Sequence, residues 1–147
     1  MLHLDQCVAV DPRFPLSGPE LMDIFEGLAL AFGLDQWELS LRIVDDREMA
    51  DLNGQYMGCL GPTNVLSFPG GEGDWLGDLV LSAETLARES LLYNQDVHEY
   101  TVRVLAHGLL HLMGHDHGPE MDGLTELAVA SVRLDEDESR IRLFPSI

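Results

Sequence analysis

The feature of this sequence that most constrains its fold is a cluster of histidines, AHGLLHLMGHDHG at 106–118. His107 and His111 are four residues apart, and on an α-helix this spacing places both imidazoles on one face. Gly114 favours the end of that helix, because glycine readily adopts the left-handed conformation found at helix C-termini. The pattern therefore predicts a helix, a turn and a chain reversal that returns a third imidazole to the same point.

Two histidines compete for the third position. His115 lies four residues after His111 and suits an unbroken helix, whereas a break at Gly114 favours His117. We favour His117, because Gly114 followed by the polar HDHG is a poor continuation of a helix. Neutral imidazoles bind zinc and similar metals, and three protein ligands with an open position form a catalytic type of site. We therefore predict one metal ion at His107, His111 and His117.

The same histidine spacing occurs in the metzincin peptidases, H-E-x-x-H-x-x-G-x-x-H. Those enzymes require a glutamate directly after the first histidine as general base, and here that residue is Gly108. The pattern keeps the metal ligands and lacks the peptidase base. A metallopeptidase, or another metal hydrolase that does not act on RNA, is therefore a disfavoured alternative.

The sequence around the cluster predicts both strands and helices. WELSLRIVD at 37–45 alternates apolar and polar residues, as a half-buried strand does. NVLSF at 64–68 and LGDLVLS at 76–82 also predict strands, with PGGEGDW between them as a turn-rich, mobile loop. The result is one α+β domain over 1–147, with a poorly ordered tail from about 137.

Five helix starts are indicated by capping residues or by a first-turn proline. They are Ser17, Asp45, Ser82, Asp96 and Pro119. The helix that begins after Asp96 runs into the histidine cluster.

The charge balance limits how this protein can bind nucleic acid. The chain has 26 acidic residues against eight arginines and no lysine, for a formal net charge of −18. An excess of negative charge this large favours solubility or function in a salty cytoplasm, and it repels a phosphate backbone. Action on nucleic acid would therefore require a local site, a metal or a partner.

No targeting or membrane segment is indicated. No apolar run is long enough to span a membrane, and the first residues lack the basic and apolar regions of a signal peptide. Cys7 and Cys59 are isolated and predict no disulfide framework. We expect a cytoplasmic protein.

Three segments resemble one known family. HGLLHLMGHDH closely resembles the H-G-x-L-H-L-x-G-Y-D-H signature of the YbeY endoribonucleases, the rRNA maturation factors of bacteria. LNGQYMGCLGPTNVLSFP resembles that family's L-N-x-x-Y-R-x-K-D-x-P-T-D/N-V-L-S-F-P, and LGDLVLS resembles its G-D-I-V-I-S strand. The resemblance covers most of residues 37–117.

The resemblance implies a fold and an activity. The fold would be a small mixed sheet packed against several helices, with the metal motif on a central buried helix. One zinc ion would bind at the positions matching His107, His111 and His117. The activity would be hydrolysis of single-stranded RNA in maturation of small-subunit (16S) rRNA and in ribosome quality control, with the ribosome or its small subunit as partner. Asn64, Ser67 and Asp78 are candidates for contact with the substrate, since they lie in the matching strand segments.

The sequence departs from the family pattern in one loop. The arginine, lysine and aspartate of Y-R-x-K-D are Met57, Cys59 and Leu60 here. A guanidinium at the first position would neutralise charge on the scissile phosphate, and methionine cannot. Arg103 lies one helical turn before His107 and could take its place. The alternative is a ribosome-associated zinc protein with weak or no nuclease activity.

Two other residues are candidates for catalysis. Asp116 lies between two histidines, where its carboxylate could act as a base or orient a ligand imidazole. His115 replaces the tyrosine of the family signature and could donate a hydrogen bond near the metal or serve as a spare ligand. With Arg103, these residues complete the set of catalytic candidates.

Overall fold

The computed structural model describes the backbone of residues 1–6 and 16–143, and the side chains of 1–5 and 16–132. It contains four strands and five helices within those ranges. In chain order they are β1 (Leu2–Gln6), α1 (Gly18–Ala31), β2 (Glu38–Val44), α2 (Asp46–Met57), β3 (Val65–Glu72), β4 (Trp75–Ser82), α3 (Ala83–Leu92), α4 (Val97–Leu112) and α5 (Pro119–Leu143).

The four strands form one mixed sheet in the order β1-β2-β4-β3. β1, β2 and β4 run parallel, and β3 pairs antiparallel with β4. The alternation predicted for β2 is confirmed, since Leu39, Leu41 and Ile43 are buried. The predicted α+β class and small mixed sheet are likewise confirmed.

The prediction of a loop over 69–75 is wrong in its extent. Both strands continue into it, so that β3 ends at Glu72, β4 begins at Trp75, and only a tight turn separates them. The register shifts between Pro69 and Glu72, where a Cβ on Gly70 would lie 2.3 Å from Trp75 Cδ1. The glycines that favour a loop therefore allow a close approach within a hairpin.

Apolar side chains cover both faces of the sheet. On one face the main core joins β2 and β4 to α1, α4 and α5, with large buried residues that include Phe25, Leu41, Leu79 and Leu105. Each such side chain contributes roughly 1.5–3 kcal/mol when it is removed from water. The other face carries a smaller cluster beneath α2, formed by Val44, Met49, Leu66 and Val80.

Helix α4 is the central buried helix, as predicted. It contacts β3, β4, α1, α3 and α5. Its N-terminus is capped by Asp96, whose side chain accepts a hydrogen bond from the amide of Glu99 at 3.0 Å. The caps predicted at Ser17, Asp45 and Ser82 are also confirmed.

The C-terminal helix α5 packs against α1 and α4. It continues to Leu143, so the predicted poorly ordered tail falls partly within this helix and partly on residues 144–147, outside the described residues. Poor order in the tail and a single domain over 1–147 both stay predictions. No helix in the described part of the chain is long and apolar enough to cross a membrane.

Candidate metal centre and cleft

The turn after α4 places the histidines. α4 ends at Leu112, and Gly114 follows in the left-handed conformation with a φ of 94°. The amide of Gly114 donates to the carbonyl of His111 at 3.0 Å, and the amide of His115 donates to that of Leu110 at 3.0 Å. The chain therefore reverses at the glycine, as the sequence predicts.

His107, His111 and His117 come together beside this turn. One ligand atom from each ring lies within 4.8 Å of the others, and His107 Nε2 is 3.2 Å from His117 Nδ1. Two nitrogens that share a tetrahedral zinc ion are about 3.3 Å apart, given Zn–N bonds of about 2.0–2.1 Å. The donor set and the shortest separation therefore fit a single ion of the kind that imidazoles bind. We call these three residues the metal centre.

His115 has a backbone role at the metal centre. Its carbonyl oxygen lies 3.0 Å from His111 Nδ1, and because a carbonyl only accepts, the ring nitrogen must donate. This hydrogen bond fixes the proton on Nδ1 and leaves Nε2 of His111 free to bind a metal. The structure thus brings His117, and not the imidazole of His115, to the other two rings.

The surroundings of His107 favour its neutral form. Burial lowers the pKa of this imidazole, and the nearby rings of His111 and His117 lower it further. A neutral imidazole has a free lone pair for a metal, whereas a protonated one has none.

Gly108 packs α4 closely against the sheet. A Cβ at this position would lie 3.1 Å from Leu79 Cδ2 and 3.2 Å from Val65 Cγ2. A glutamate at this position, where a peptidase carries its general base, would therefore require the side chains of Leu79 and Val65 to shift. Packing explains the glycine, and the case against a peptidase gains a structural reason.

The metal centre lies in an open cleft with a volume of about 650 Å³, well within the usual size of ligand sites. The three histidines, Gly114, His115 and Asp116 form one wall. The opposite wall is formed by Met57, Thr63, Asn64, Val65, Leu66, Ser67 and Pro69. Among the described residues, no arginine lines this cleft, and Asp116 is the one carboxylate that does.

The predicted substrate residues have different positions. Asn64 and Ser67 line the cleft. The Ser67 hydroxyl donates to the carbonyl of Gly108 at 3.1 Å and so ties β3 to α4. Asp78 does not line the cleft: its carboxylate accepts a hydrogen bond from Ser40 Oγ on the face of the sheet away from α4.

Arg103 does not reach the cleft. Its guanidinium donates to Glu126 on α5 through Nε at 2.8 Å and Nη2 at 3.1 Å, and to Gln95 through Nη1 at 2.8 Å. Hydrogen bonding to Glu126 raises the pKa of Arg103, with the charges of Glu126 and Glu99 acting in the same direction. The arginine joins α4 to α5, and the structure does not support a catalytic role for it.

Comparison with known proteins identifies the family. The sequence profile of the family Endoribonuclease YbeY matches residues 20–128. This chain belongs to the YbeY endoribonuclease family. The endoribonuclease YbeY of Nitratidesulfovibrio vulgaris is 40% identical over 137 residues, which covers 79% of this chain and 85% of the relative. That of Oleidesulfovibrio alaskensis is 39% identical over 137 residues, with 77% and 81% covered.

A solved structure shows the same fold. The solution structure of a Thermotoga maritima protein superposes on this chain with a TM-score of 0.67 at 23% sequence identity. The superposition covers 95% of this chain and 93% of the other.

Met57, where the sequence resemblance predicts an arginine, lies on the cleft wall. It is the last residue of α2, and its side chain is 47% exposed. Gly58 then ends α2 in the left-handed conformation with a φ of 66°. Leu60, at the family's aspartate position, is fully exposed and does not line the cleft. The substitution at position 57 therefore changes the chemistry of the cleft itself.

Behind the cleft residue Asn64 lie Glu89 and Tyr100, which sequence reasoning missed. Glu89 Oε1 accepts hydrogen bonds from Asn64 Nδ2 at 3.0 Å and from the Tyr100 hydroxyl at 3.1 Å. Burial, together with the charge and the hydrogen bond of Glu89, raises the pKa of Tyr100 to about 12. No spacing in the sequence indicates this contact, because it joins three separate segments.

Proposed function

We propose that this protein is a zinc-dependent endoribonuclease that hydrolyses single-stranded RNA in the cleft beside the metal centre. One observation carries the proposal: three imidazoles converge on the wall of an open cleft, in a chain of the YbeY endoribonuclease family. The cleft is open enough for an extended strand, and its opposite wall is the edge strand β3.

His107, His111 and His117 would hold the ion. A bound zinc ion supplies Lewis-acid chemistry, that is, polarisation of a phosphoryl oxygen and acidification of a water molecule. The hydrogen bond from His111 Nδ1 to the His115 carbonyl keeps the His111 ring in place. The left-handed turn at Gly114 keeps His117 over the helix.

Asp116 is the group best placed to move a proton. Its carboxylate is exposed on the cleft wall next to His117 in the chain. A carboxylate here can accept the proton of the attacking water or 2′-hydroxyl and return it to the leaving oxygen. No guanidinium at position 57 neutralises the phosphate charge in the cleft, because Met57 lies where the family signature has arginine.

The biological substrate we propose is precursor small-subunit rRNA, with the ribosome or its small subunit as partner. The family's name supports RNA as the substrate. A net charge of −18 repels free RNA and weakens its binding. A partner that holds the RNA strand at the cleft would offset this repulsion.

A second candidate is a ribosome-associated zinc protein with little activity of its own. It is favoured by one observation, the lack of any arginine among the described residues of the cleft wall. Under this proposal the protein would sediment with small subunits and would not turn over RNA.

The test is cleavage of a labelled single-stranded 16S rRNA fragment by the purified, zinc-loaded protein. We expect cleavage that chelation abolishes and zinc restores, and that His111→Ala removes. His98→Ala changes a histidine of α4 outside the metal centre and serves as the control. Intact RNA with folded, zinc-loaded protein would reject the nuclease and leave the second candidate.

A further inference from the structure

The hydrogen bond between Asn64 and Glu89 fixes which end of the asparagine amide faces α3. A carboxylate only accepts, so the amide nitrogen of Asn64, 3.0 Å from Glu89 Oε1, must be the donor. The backbone carbonyl of Asn64 also accepts from the amide of Ser82 at 2.9 Å, which anchors the residue at the start of β3. Both the position and the orientation of this side chain are therefore set.

Glu89 is held in turn by Tyr100. The Tyr100 hydroxyl donates to the same Glu89 oxygen at 3.1 Å, and its ring is buried and packs against Tyr93. A pKa raised to about 12 keeps this hydroxyl protonated, and hence a donor, at every pH at which the protein would act. The amide of Asn64 is oriented by a chain of two hydrogen bonds rooted in the core.

This orientation leaves Asn64 Oδ1 as an acceptor on the cleft wall. None of the described residues donates a hydrogen bond to it. The neighbouring hydroxyl of Ser67 is committed to the carbonyl of Gly108. Asn64 therefore lines the cleft with its amide nitrogen held by Glu89, and its Oδ1 is an uncharged acceptor that a group bound there could use.

Few groups of an RNA strand can donate to such an acceptor. Phosphate and ring oxygens of the sugar only accept, whereas the 2′-hydroxyl donates and lies beside the phosphate that must reach the metal centre. Base N–H groups also donate, but they differ from base to base and lie farther from the reacting bond.

We propose that Asn64 accepts a hydrogen bond from a ribose 2′-hydroxyl and so selects RNA over DNA, with Glu89 and Tyr100 as positioning residues. The inference rests on the proposed function, because it takes the cleft to be the RNA-binding site.

The experiment is a double-mutant cycle that combines substitutions in the protein with removal of single 2′-hydroxyl groups from the substrate. A set of oligoribonucleotides, each with one 2′-deoxy residue near the cleaved bond, is compared with the all-ribose strand by kcat/KM. We expect one position at which the 2′-deoxy change lowers the kcat/KM of the wild type by about 3- to 10-fold, the effect of one neutral hydrogen bond. We call this decrease the deoxy penalty. In Asn64→Ala this penalty should fall to about one.

Conservative variants separate positioning from folding. Glu89→Gln keeps an acceptor oxygen and should keep the deoxy penalty, whereas Glu89→Ala frees the Asn64 amide to rotate and should reduce the penalty. Tyr100→Phe should also reduce it. Tyr93→Phe removes a hydroxyl from the adjacent ring and should leave the penalty unchanged.

Three results would overturn the inference. A uniform loss of activity in Asn64→Ala, with every deoxy penalty unchanged, would show that Asn64 contacts no 2′-hydroxyl. A changed base preference with unchanged deoxy penalties would assign Asn64 to a base edge. Failure of the zinc-loaded wild type to cleave any strand would overturn the proposed function and this inference together.

Discussion

His111 Nδ1 donates a hydrogen bond to the backbone carbonyl of His115, 3.0 Å away across the turn that ends α4. The turn thus does two things at once: it delivers His117 to the metal centre and it orients His111. Because both depend on backbone geometry at Gly114, the metal centre should be sensitive to that residue and tolerant of side-chain changes at His115.

Gly114→Ala should weaken zinc binding by about tenfold. The residue has a φ of 94°, and a non-glycine residue in the left-handed region costs roughly 1–2 kcal/mol, which would be relieved by moving His117 away. Competition with a chromophoric chelator measures the affinity. Gly118→Ala is the matched control, since a Cβ there meets nothing within 4 Å and its φ is ordinary. Equal affinities in the two variants would show that the turn does not set the metal centre.

Met57→Arg should raise kcat/KM for single-stranded RNA at least about tenfold. The side chain lies on the cleft wall, where a guanidinium can contact the scissile phosphate with a charge-assisted hydrogen bond. Leu60→Arg adds the same charge three residues later, at a fully exposed residue that does not line the cleft. A gain of the same size in both variants would mean that net charge, and not the cleft, limits activity.

Binding of RNA to the wild type should not weaken steeply with salt. A net charge of −18 repels the strand, and salt screens that repulsion, while no arginine of the described cleft wall releases counterions. Anisotropy titrations between low and moderate salt should give a flat or rising affinity. Met57→Arg should make the slope of log K against log salt more negative by about 0.7. A steep fall in the wild type would reveal cationic contacts elsewhere.

The stability of the α2–α3 junction should depend on pH through Asp46. Burial acts to raise the pKa of this carboxyl, but hydrogen bonds from Thr85, Arg88 and Ser82 and the charge of Arg88 outweigh burial and lower it. A lowered pKa in the folded state means that the stabilisation is complete above the ordinary value of 3.8 and is lost as the pH falls through the lowered one.

Asp46→Asn should therefore lower the melting temperature at neutral pH, and the difference from the wild type should shrink as the pH falls below about 4. Asp51→Asn, at an exposed residue of the same helix, is the control. A difference that stays constant across this pH range would show that the charge of Asp46 contributes nothing.

Local signals predicted much of the site. The helical spacing of His107 and His111 and the glycine after them determine the turn without reference to the rest of the chain. The faces of β4 were harder to predict, because apolar residues cover both sides of the sheet: Leu79 belongs to the main core and Val80 to the cluster beneath α2. Alternation alone therefore could not show that Asp78 points away from the cleft.

Contacts between distant segments could not be predicted at all. One example is the contact that joins Asn64, just before β3, to Glu89 on α3 and Tyr100 on α4. Only the packing of these elements brings the three side chains within hydrogen-bond distance. Arg103 is a second example. It lies one helical turn before His107, but its guanidinium donates a hydrogen bond to Glu126 on α5. Sequence spacing gives the face of a helix, and neighbouring elements decide what that face contacts.

The most direct test of the metal centre compares His115→Ala with His117→Ala for zinc content and for cleavage of single-stranded RNA. We expect His115→Ala to keep one zinc ion per chain, because the carbonyl that orients His111 remains, and to cleave RNA still. His117→Ala should lose both the ion and the cleavage. Loss of zinc in His115→Ala, with zinc and cleavage retained in His117→Ala, would contradict the metal centre described here.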